Sequence, residues 1–138
     1  MTNEEFESAV LDALTAGDHP VFEALREQRK AMTVDRREET EGGFFAYFSV
    51  DRDAPRVKPP NLIVGDLQLQ LEGASTPADA VLHVRNGAVD VLECYVFDGV
   101  WPESPEITGV YYYGGETFAS IGPELFASRD VDAAFDEE

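Results

Sequence analysis

The sequence predicts an α+β fold in which two N-terminal helices pack on an antiparallel, mostly meandering sheet of five to six strands. Three observations predict it. Apolar residues recur at helical spacing up to residue 31, and from residue 32 they alternate with polar ones. The dipeptide Asn86-Gly87 stands between two apolar runs, which is the strongest short-range signal for a β-hairpin. At 138 residues the chain has the usual length of one domain, so we expect a single α+β domain over residues 1–138.

The two helices are predicted at the N-terminus, over residues 2–18 and 20–31. Thr2 or Asn3 suits the N-cap of the first helix, because both side chains accept hydrogen bonds from free backbone amides. Gly17 stands where a helix C-terminal cap belongs. Each segment has one apolar side, so each is expected to cover the sheet.

The remaining elements follow from alternation and from turn residues. A charged, proline-rich loop at residues 51–60 cannot join a central strand. A short C-terminal helix is expected within residues 116–129, and the acidic tail at about 130–138 is expected to fray. The strands are predicted at residues 33–40, 44–50, 62–72, in a hairpin over 78–98, and at 107–113.

Charge and cysteine content exclude several classes of function. The formal net charge of −18 repels the phosphates of nucleic acids and anionic membranes, so neither is an expected partner. The charge favours solubility, or a basic protein as partner. Cys94 is the only cysteine, which excludes an intramolecular disulfide and suits a reducing cytoplasm. No cofactor or metal is expected, because His19 and His83 lie in unrelated contexts and no nucleotide-binding motif occurs.

The hairpin carries the residues that could do chemistry. A two-residue turn places His83 opposite Asp90 and puts Glu93, Tyr95 and Phe97 on the more apolar face. The His–Asp pair fits a catalytic base with its orienting carboxylate, or an ordinary cross-strand pair. We favour the second interpretation, because the sequence places no nucleophile beside the pair.

Glu93 is the main candidate for a binding residue. An ionised carboxylate on an apolar face must be paired or neutralised, because burying it alone is costly. The sequence therefore predicts a candidate pocket formed by Glu93, Tyr95, Phe97 and Trp101. We favour the other interpretation, a structural role in which Glu93 pairs with an arginine or a tyrosine hydroxyl. No catalytic residue is assigned.

The stretch from His19 to Pro102 resembles a family of small uncharacterised bacterial proteins. The resemblance rests on the segment HPVFEALREQ, on the strand GGFFAYFSV after an arginine-rich lead-in, and on the hairpin VRNGAVDVLECYVFDGVWP. The shared pattern is an apolar strand, a turn glycine, an apolar residue, Leu-Glu, a tyrosine two residues on, and Trp-Pro. The family has no known activity, so the resemblance implies a fold and no mechanism.

The leading functional hypothesis is a non-enzymatic, acidic protein-binding module that engages a basic protein surface. A toxin-neutralising immunity protein is one example of this class. Surplus aromatic residues also suggest a homodimer, because interface cores favour Tyr, Trp and Phe. The alternative is a small-molecule-binding protein or enzyme with Glu93 in an aromatic-lined pocket. Nucleic-acid mimicry ranks last, because the acidic residues are scattered along the chain.

Overall fold

The computed structural model describes residues 1–118, 122–126 and 129–137. It contains the two expected N-terminal helices, α1 at Asn3–Leu14 and α2 at Pro20–Arg29. Both begin at defined caps, which is why the sequence located their starts well.

The caps use side chains that accept backbone N–H groups. The Thr2 hydroxyl accepts the N–H of Glu5 at 3.1 Å, and the Glu5 carboxylate accepts the N–H of Thr2 at 3.0 Å, which is a capping box. For α2 the cap is His19, whose Nδ1 accepts the N–H of Val21 at 3.1 Å. Gly17 has a φ of +122° between the two helices, a conformation that favours glycine.

The strands of the described residues form one antiparallel sheet with the order β1-β2-β5-β4-β3-β6-β7, and β8 pairs with β3 outside this path. The α+β class is confirmed, but the prediction of five to six strands is too low. The sheet is only partly a meander, because β2 lies beside β5 and β6 lies beside β3. The strands are β1 Met32–Glu39, β2 Gly43–Val50, β3 Leu62–Glu72, β4 Ala78–Arg85, β5 Ala88–Val96, β6 Glu106–Phe118, β7 Gly122–Phe126 and β8 Phe135–Glu137.

The C-terminal segment differs from the expectation. Instead of the short helix expected within residues 116–129, β6 continues to Phe118 and β7 follows; residues 119–121 and 127–128 lie outside the described part of the chain. The acidic tail forms a single 3-10 turn, Val131–Ala133, and then β8. Strand β8 pairs with residues 62–64 of β3, so backbone hydrogen bonding holds this part of the tail that was expected to fray.

Both helices pack on one face of the sheet, α1 against β3, β4 and β6, and α2 against β5. The buried core lies between these layers. We call the opposite face of the central strands the open face, because its apolar side chains remain partly exposed. Its members include Phe45 and Tyr47 of β2, Ile63 and Gln68 of β3, Asp79, Val81 and His83 of β4, Glu93 and Tyr95 of β5, and Tyr111 and Tyr113 of β6.

The hairpin register corrects the predicted side-chain pairing. Asn86 and Gly87 form the turn, with φ values of 53° and 78°, and Arg85 pairs with Ala88 as predicted. A β-bulge at Asp90 then shifts the register, so His83 lies opposite Val91 and the predicted His83–Asp90 pair is wrong.

The bulge has a packing reason. Val89 and Leu92 both point into the core, and an odd spacing between two inward residues requires one extra residue in the strand. Glu93 therefore lies on the open face opposite Val81, and not among the buried residues Leu82 and Val84. The expectation that Glu93 lies on the more apolar face of the hairpin is therefore wrong.

Candidate functional site

The best-formed cavity lies at one end of the helix-covered face. It has a volume of about 360 Å³ and opens between the start of α1, the β1–β2 turn and the loop that joins β5 to β6. We call it the aromatic pocket. A volume near this value lies within the range of small-ligand sites in proteins. Its lining includes Asn3, Phe6, Glu7, Arg37, Glu39, Glu41, Phe44, Val100, Trp101, Pro102, Glu103 and Pro105.

An ion pair between a buried carboxylate and a partly exposed arginine contributes to the lining. Arg37 on edge strand β1 donates from Nε to both carboxylate oxygens of Glu7 at 2.9 Å, and its Nη2 lies 2.8 Å from Glu7 Oε2. Glu7 is only 4% exposed, and this hydrogen bonding raises the pKa of Arg37. The bidentate geometry joins α1 to β1 and neutralises the buried charge.

Three aromatic rings form the apolar wall. The ring centroids of Phe6, Phe44 and Trp101 lie 5.5–6.0 Å apart, and every pair meets edge to face. The Trp101 backbone N–H donates to the Glu41 carbonyl at 2.8 Å. That hydrogen bond ties the β5–β6 loop to the β1–β2 turn, so it fixes the position of the indole.

The rim of the pocket is acidic. Glu39, Glu41 and Glu103 line it, and among the described residues none of the three has a cationic side chain within ion-pair distance. The one arginine in the lining, Arg37, is already paired with Glu7. An apolar wall beside unpaired carboxylates suits a ligand with a hydrocarbon stem and a cationic head, because the stem packs on the rings and the head meets the carboxylates.

The structure separates the four residues of the predicted pocket. Glu93 and Tyr95 share the open face, and Phe97 follows β5 with 49% of its surface exposed. Trp101 lies in the aromatic pocket with Phe6 and Phe44, on the other face of the sheet. Glu93 is not part of the aromatic pocket.

Sequence reasoning missed Phe6, Glu7, Arg37 and Phe44 as site residues. A signal for one of them was present. Glu7 lies one helical turn before Val10 and Leu11, on the side of α1 that faces the core. Positions on that side of a helix are usually occupied by apolar residues. A carboxylate at such a position needs a buried partner, and the only way to identify that partner was the fold.

Polar side chains on the open face form a hydrogen-bonded network. Glu93 Oε1 lies 3.4 Å from His83 Nε2. Asp79 accepts the hydroxyl groups of Tyr113, at 2.5 Å, and of Tyr95, at 3.4 Å. Burial raises the pKa of Asp79, and burial together with this hydrogen bond raises the pKa of Tyr113. Each carboxylate of the network therefore has a partner within the chain.

Among the described residues, no serine, threonine or cysteine side chain takes part in this network. Cys94 points to the face of β5 opposite Glu93 and is 1% exposed. Burial raises the pKa of its thiol well above the usual range, so the reactive thiolate is disfavoured. Within the described residues, no group of three or more His, Cys, Asp and Glu side chains is arranged to hold a metal ion.

In the part of the chain that the structure describes, neither helix is long and apolar enough to cross a membrane. Comparison of the chain with protein-family models, with curated proteins and with solved structures finds no match.

Proposed function

We propose that the protein is a non-enzymatic binding module that takes a lysine or arginine side chain of a basic partner protein into the aromatic pocket. The observation that carries the proposal is the juxtaposition within one cavity of the ring wall and three carboxylates, Glu39, Glu41 and Glu103, that have no cationic partner among the described residues. A long cationic side chain matches both halves of this cavity.

The charge of the whole molecule supports the same class of partner. A net charge of −18 creates a field that accelerates encounter with a basic surface and opposes encounter with an acidic one. An immunity protein that neutralises a basic toxin would belong to this class. We include a cytoplasmic location in the proposal, because the only cysteine is a free thiol.

The small-molecule alternative centred on Glu93 has less support. Glu93 is about one-third exposed and lies beside His83, outside the aromatic pocket. An enzyme would need that carboxylate to face a ligand cavity together with the aromatic residues predicted around it.

The first experiment uses Trp101, the only tryptophan of the chain, as an internal probe of the pocket. The peptide acetyl-Arg-Arg-Arg-amide is titrated into the protein at low salt, and the change in tryptophan fluorescence is recorded. The matched peptide contains citrulline, which keeps the shape of arginine and removes its charge. We expect saturable binding of the arginine peptide only, and weaker binding in about 0.5 M salt because exposed charges are screened.

Two double variants separate the pocket from general acidity. Glu41→Gln/Glu103→Gln removes two rim charges, and Asp18→Asn/Glu23→Gln removes two exposed charges outside the pocket lining. We expect the first to weaken peptide binding about five-fold, or roughly 1 kcal/mol for two exposed ion pairs, and the second to change it less than about two-fold. Equal effects of the two variants, or equal binding of the citrulline peptide, would contradict the proposal.

A further inference from the structure

The open face is a broad surface of aromatic and aliphatic side chains in a strongly acidic protein. Its aromatic members and its aliphatic members Ile63 and Val81 are partly exposed, and Tyr95 and Tyr111 are 37% and 38% exposed. Both helices pack on the other face, against β3, β4, β5 and β6. A sheet face of this composition is typical of a surface that is covered in the functional state.

The charged groups on strands β4 and β5 of the open face have partners within the chain. Glu93 lies beside His83, and Asp79 accepts hydrogen bonds from two tyrosines. At one edge of the face, Arg36 lies over the ring of Tyr47 at 3.9 Å and within ion-pair distance of Glu38. These groups need no new charged partner when the face is covered.

The distribution of charge indicates which kind of molecule covers the open face. A basic partner would be attracted to the aromatic pocket on the other side of the sheet, where an apolar wall lies beside Glu39, Glu41 and Glu103. The open face instead offers tyrosine, phenylalanine and β-branched side chains, which pack equally well against a copy of themselves. Two such sheets stack face to face with their strands about 30° apart, around a two-fold axis.

The size of the face is sufficient for a weak specific dimer. Five strands, from β2 to β6 in the sheet order, span about 24 Å at roughly 4.8 Å per strand, and five to six residues along each strand span about 20 Å. The footprint is therefore about 500 Å² per protomer, and two copies bury about 1,000 Å², the area at which specific interfaces begin.

We infer that the protein forms a symmetric homodimer through its open face, with β4 and β5 at the centre and the two aromatic pockets facing outward. Electrostatic repulsion between two molecules of −18 charge opposes this dimer, and the apolar contact favours it. Added salt is therefore expected to strengthen dimerisation, whereas it weakens the binding of a basic partner. The inference does not depend on the proposed function.

The test is sedimentation equilibrium of the full chain from about 1 to 200 µM, in about 0.05 M and about 0.5 M NaCl. We expect a reversible monomer–dimer equilibrium whose dissociation constant falls at least three-fold at the higher salt concentration, because repulsion between the protomers is screened. A chain that is monomeric at 200 µM in both buffers would overturn the inference.

Matched variants locate the interface. Tyr95→Arg places a charge on the open face, and Val34→Arg places the same charge at a side chain of nearly equal exposure, 38%, that lines a small cavity beside α1 on the other face. Tyr95→Arg is expected to raise the dissociation constant at least ten-fold and Val34→Arg less than two-fold. A dimer that both variants weaken equally, or that Tyr95→Arg leaves unchanged, would overturn the inference.

A second open-face variant, Val81→Lys, keeps the test decisive if Tyr95→Arg does not fold. In Val81→Lys the aliphatic stem of lysine lies along the face and the ammonium group can meet Glu93 across the strands, so the monomer is expected to fold. Circular dichroism checks the fold, and the arginine-peptide titration should be unchanged in both open-face variants. Folded Val81→Lys protein that dimerises as tightly as the wild type would also overturn the inference.

Discussion

A buried ion pair near the C-terminus makes a strong quantitative prediction about stability. Arg129 and Asp66 are 4% and 7% exposed at their side chains and form a two-point contact, Nε–Oδ2 at 2.9 Å and Nη2–Oδ1 at 2.6 Å. The remaining nitrogen, Nη1, donates to the carbonyls of Leu14 and Ala16 at 2.9 and 2.8 Å. Arg129 therefore closes the C-terminal end of α1 and neutralises a carboxylate of β3 in one contact.

Replacing Arg129 by methionine keeps a long apolar side chain and removes every one of these hydrogen bonds. Asp66 is then a buried charge without a partner, and breaking such a pair costs about 3–5 kcal/mol. That is a large part of the total stability expected for a domain, about 5–15 kcal/mol. At roughly 3–4 °C per kcal/mol for a chain of this length, the midpoint of thermal unfolding should fall by about 10–20 °C.

The assay is urea and thermal unfolding followed by circular dichroism, for three variants. Arg85→Met is the control, because Arg85 lies 3.5 Å from Asp90 with both side chains exposed, and its loss should cost less than about 1 kcal/mol. Arg129→Met/Asp66→Asn should recover part of the stability, since the amide leaves no buried charge. If Arg129→Met were no more destabilising than Arg85→Met, Arg129 would not support the fold in the way the contacts indicate.

Three further predictions concern single buried groups. The Cys94 thiol should not react with a thiol reagent at pH 8 until urea unfolds the protein, because the group is buried and its pKa is raised; fast reaction of the folded protein would contradict the packing. Gln28→Ala should lower the free energy of unfolding in urea by about 2–4 kcal/mol. The buried Gln28 side chain donates from Nε2 to the Pro55 and Gly87 carbonyls, and its Oε1 accepts the Val89 N–H, at 2.7–2.9 Å. A decrease below about 1 kcal/mol would be evidence against these hydrogen bonds. Burial raises the pKa of Asp79, so the contribution of this residue to stability is most favourable below about pH 4 and is lost as the pH rises through its pKa in the folded state. The variant Asp79→Asn should therefore be more stable than the wild type at pH 7, and this difference should disappear at pH 3. Urea unfolding at the two pH values measures it.

The fold class and most elements could be predicted, because local signals specify them. The cap at Thr2, the proline at the first position of α2, the change of period after residue 31 and the turn at Asn86-Gly87 each act over a few residues. Strand neighbours were harder to predict. Whether β2 pairs with β3 or β5 depends on contacts between segments far apart in the chain, for which no local signal exists.

The candidate site was predicted only in part, for a physical reason that one residue illustrates. A single bulged residue, Asp90, moves His83 from its predicted partner Asp90 to the neighbourhood of Glu93. Side chains alternate with a period of two, so one extra residue reverses every later assignment. The bulge exists because Val89 and Leu92 both bury their side chains, and burial is a property of the packed layers.

The sequence by itself determined the two helices, an antiparallel sheet and a net charge of −18. Only the tertiary structure decided that Trp101 packs against Phe6 and Phe44, beside the Glu7–Arg37 pair and away from Glu93. The physical reason is distance along the chain. Propensity, capping and charge act locally, whereas a pocket is formed where the start of a helix, a turn and a loop meet, and their meeting depends on the packing of the whole chain.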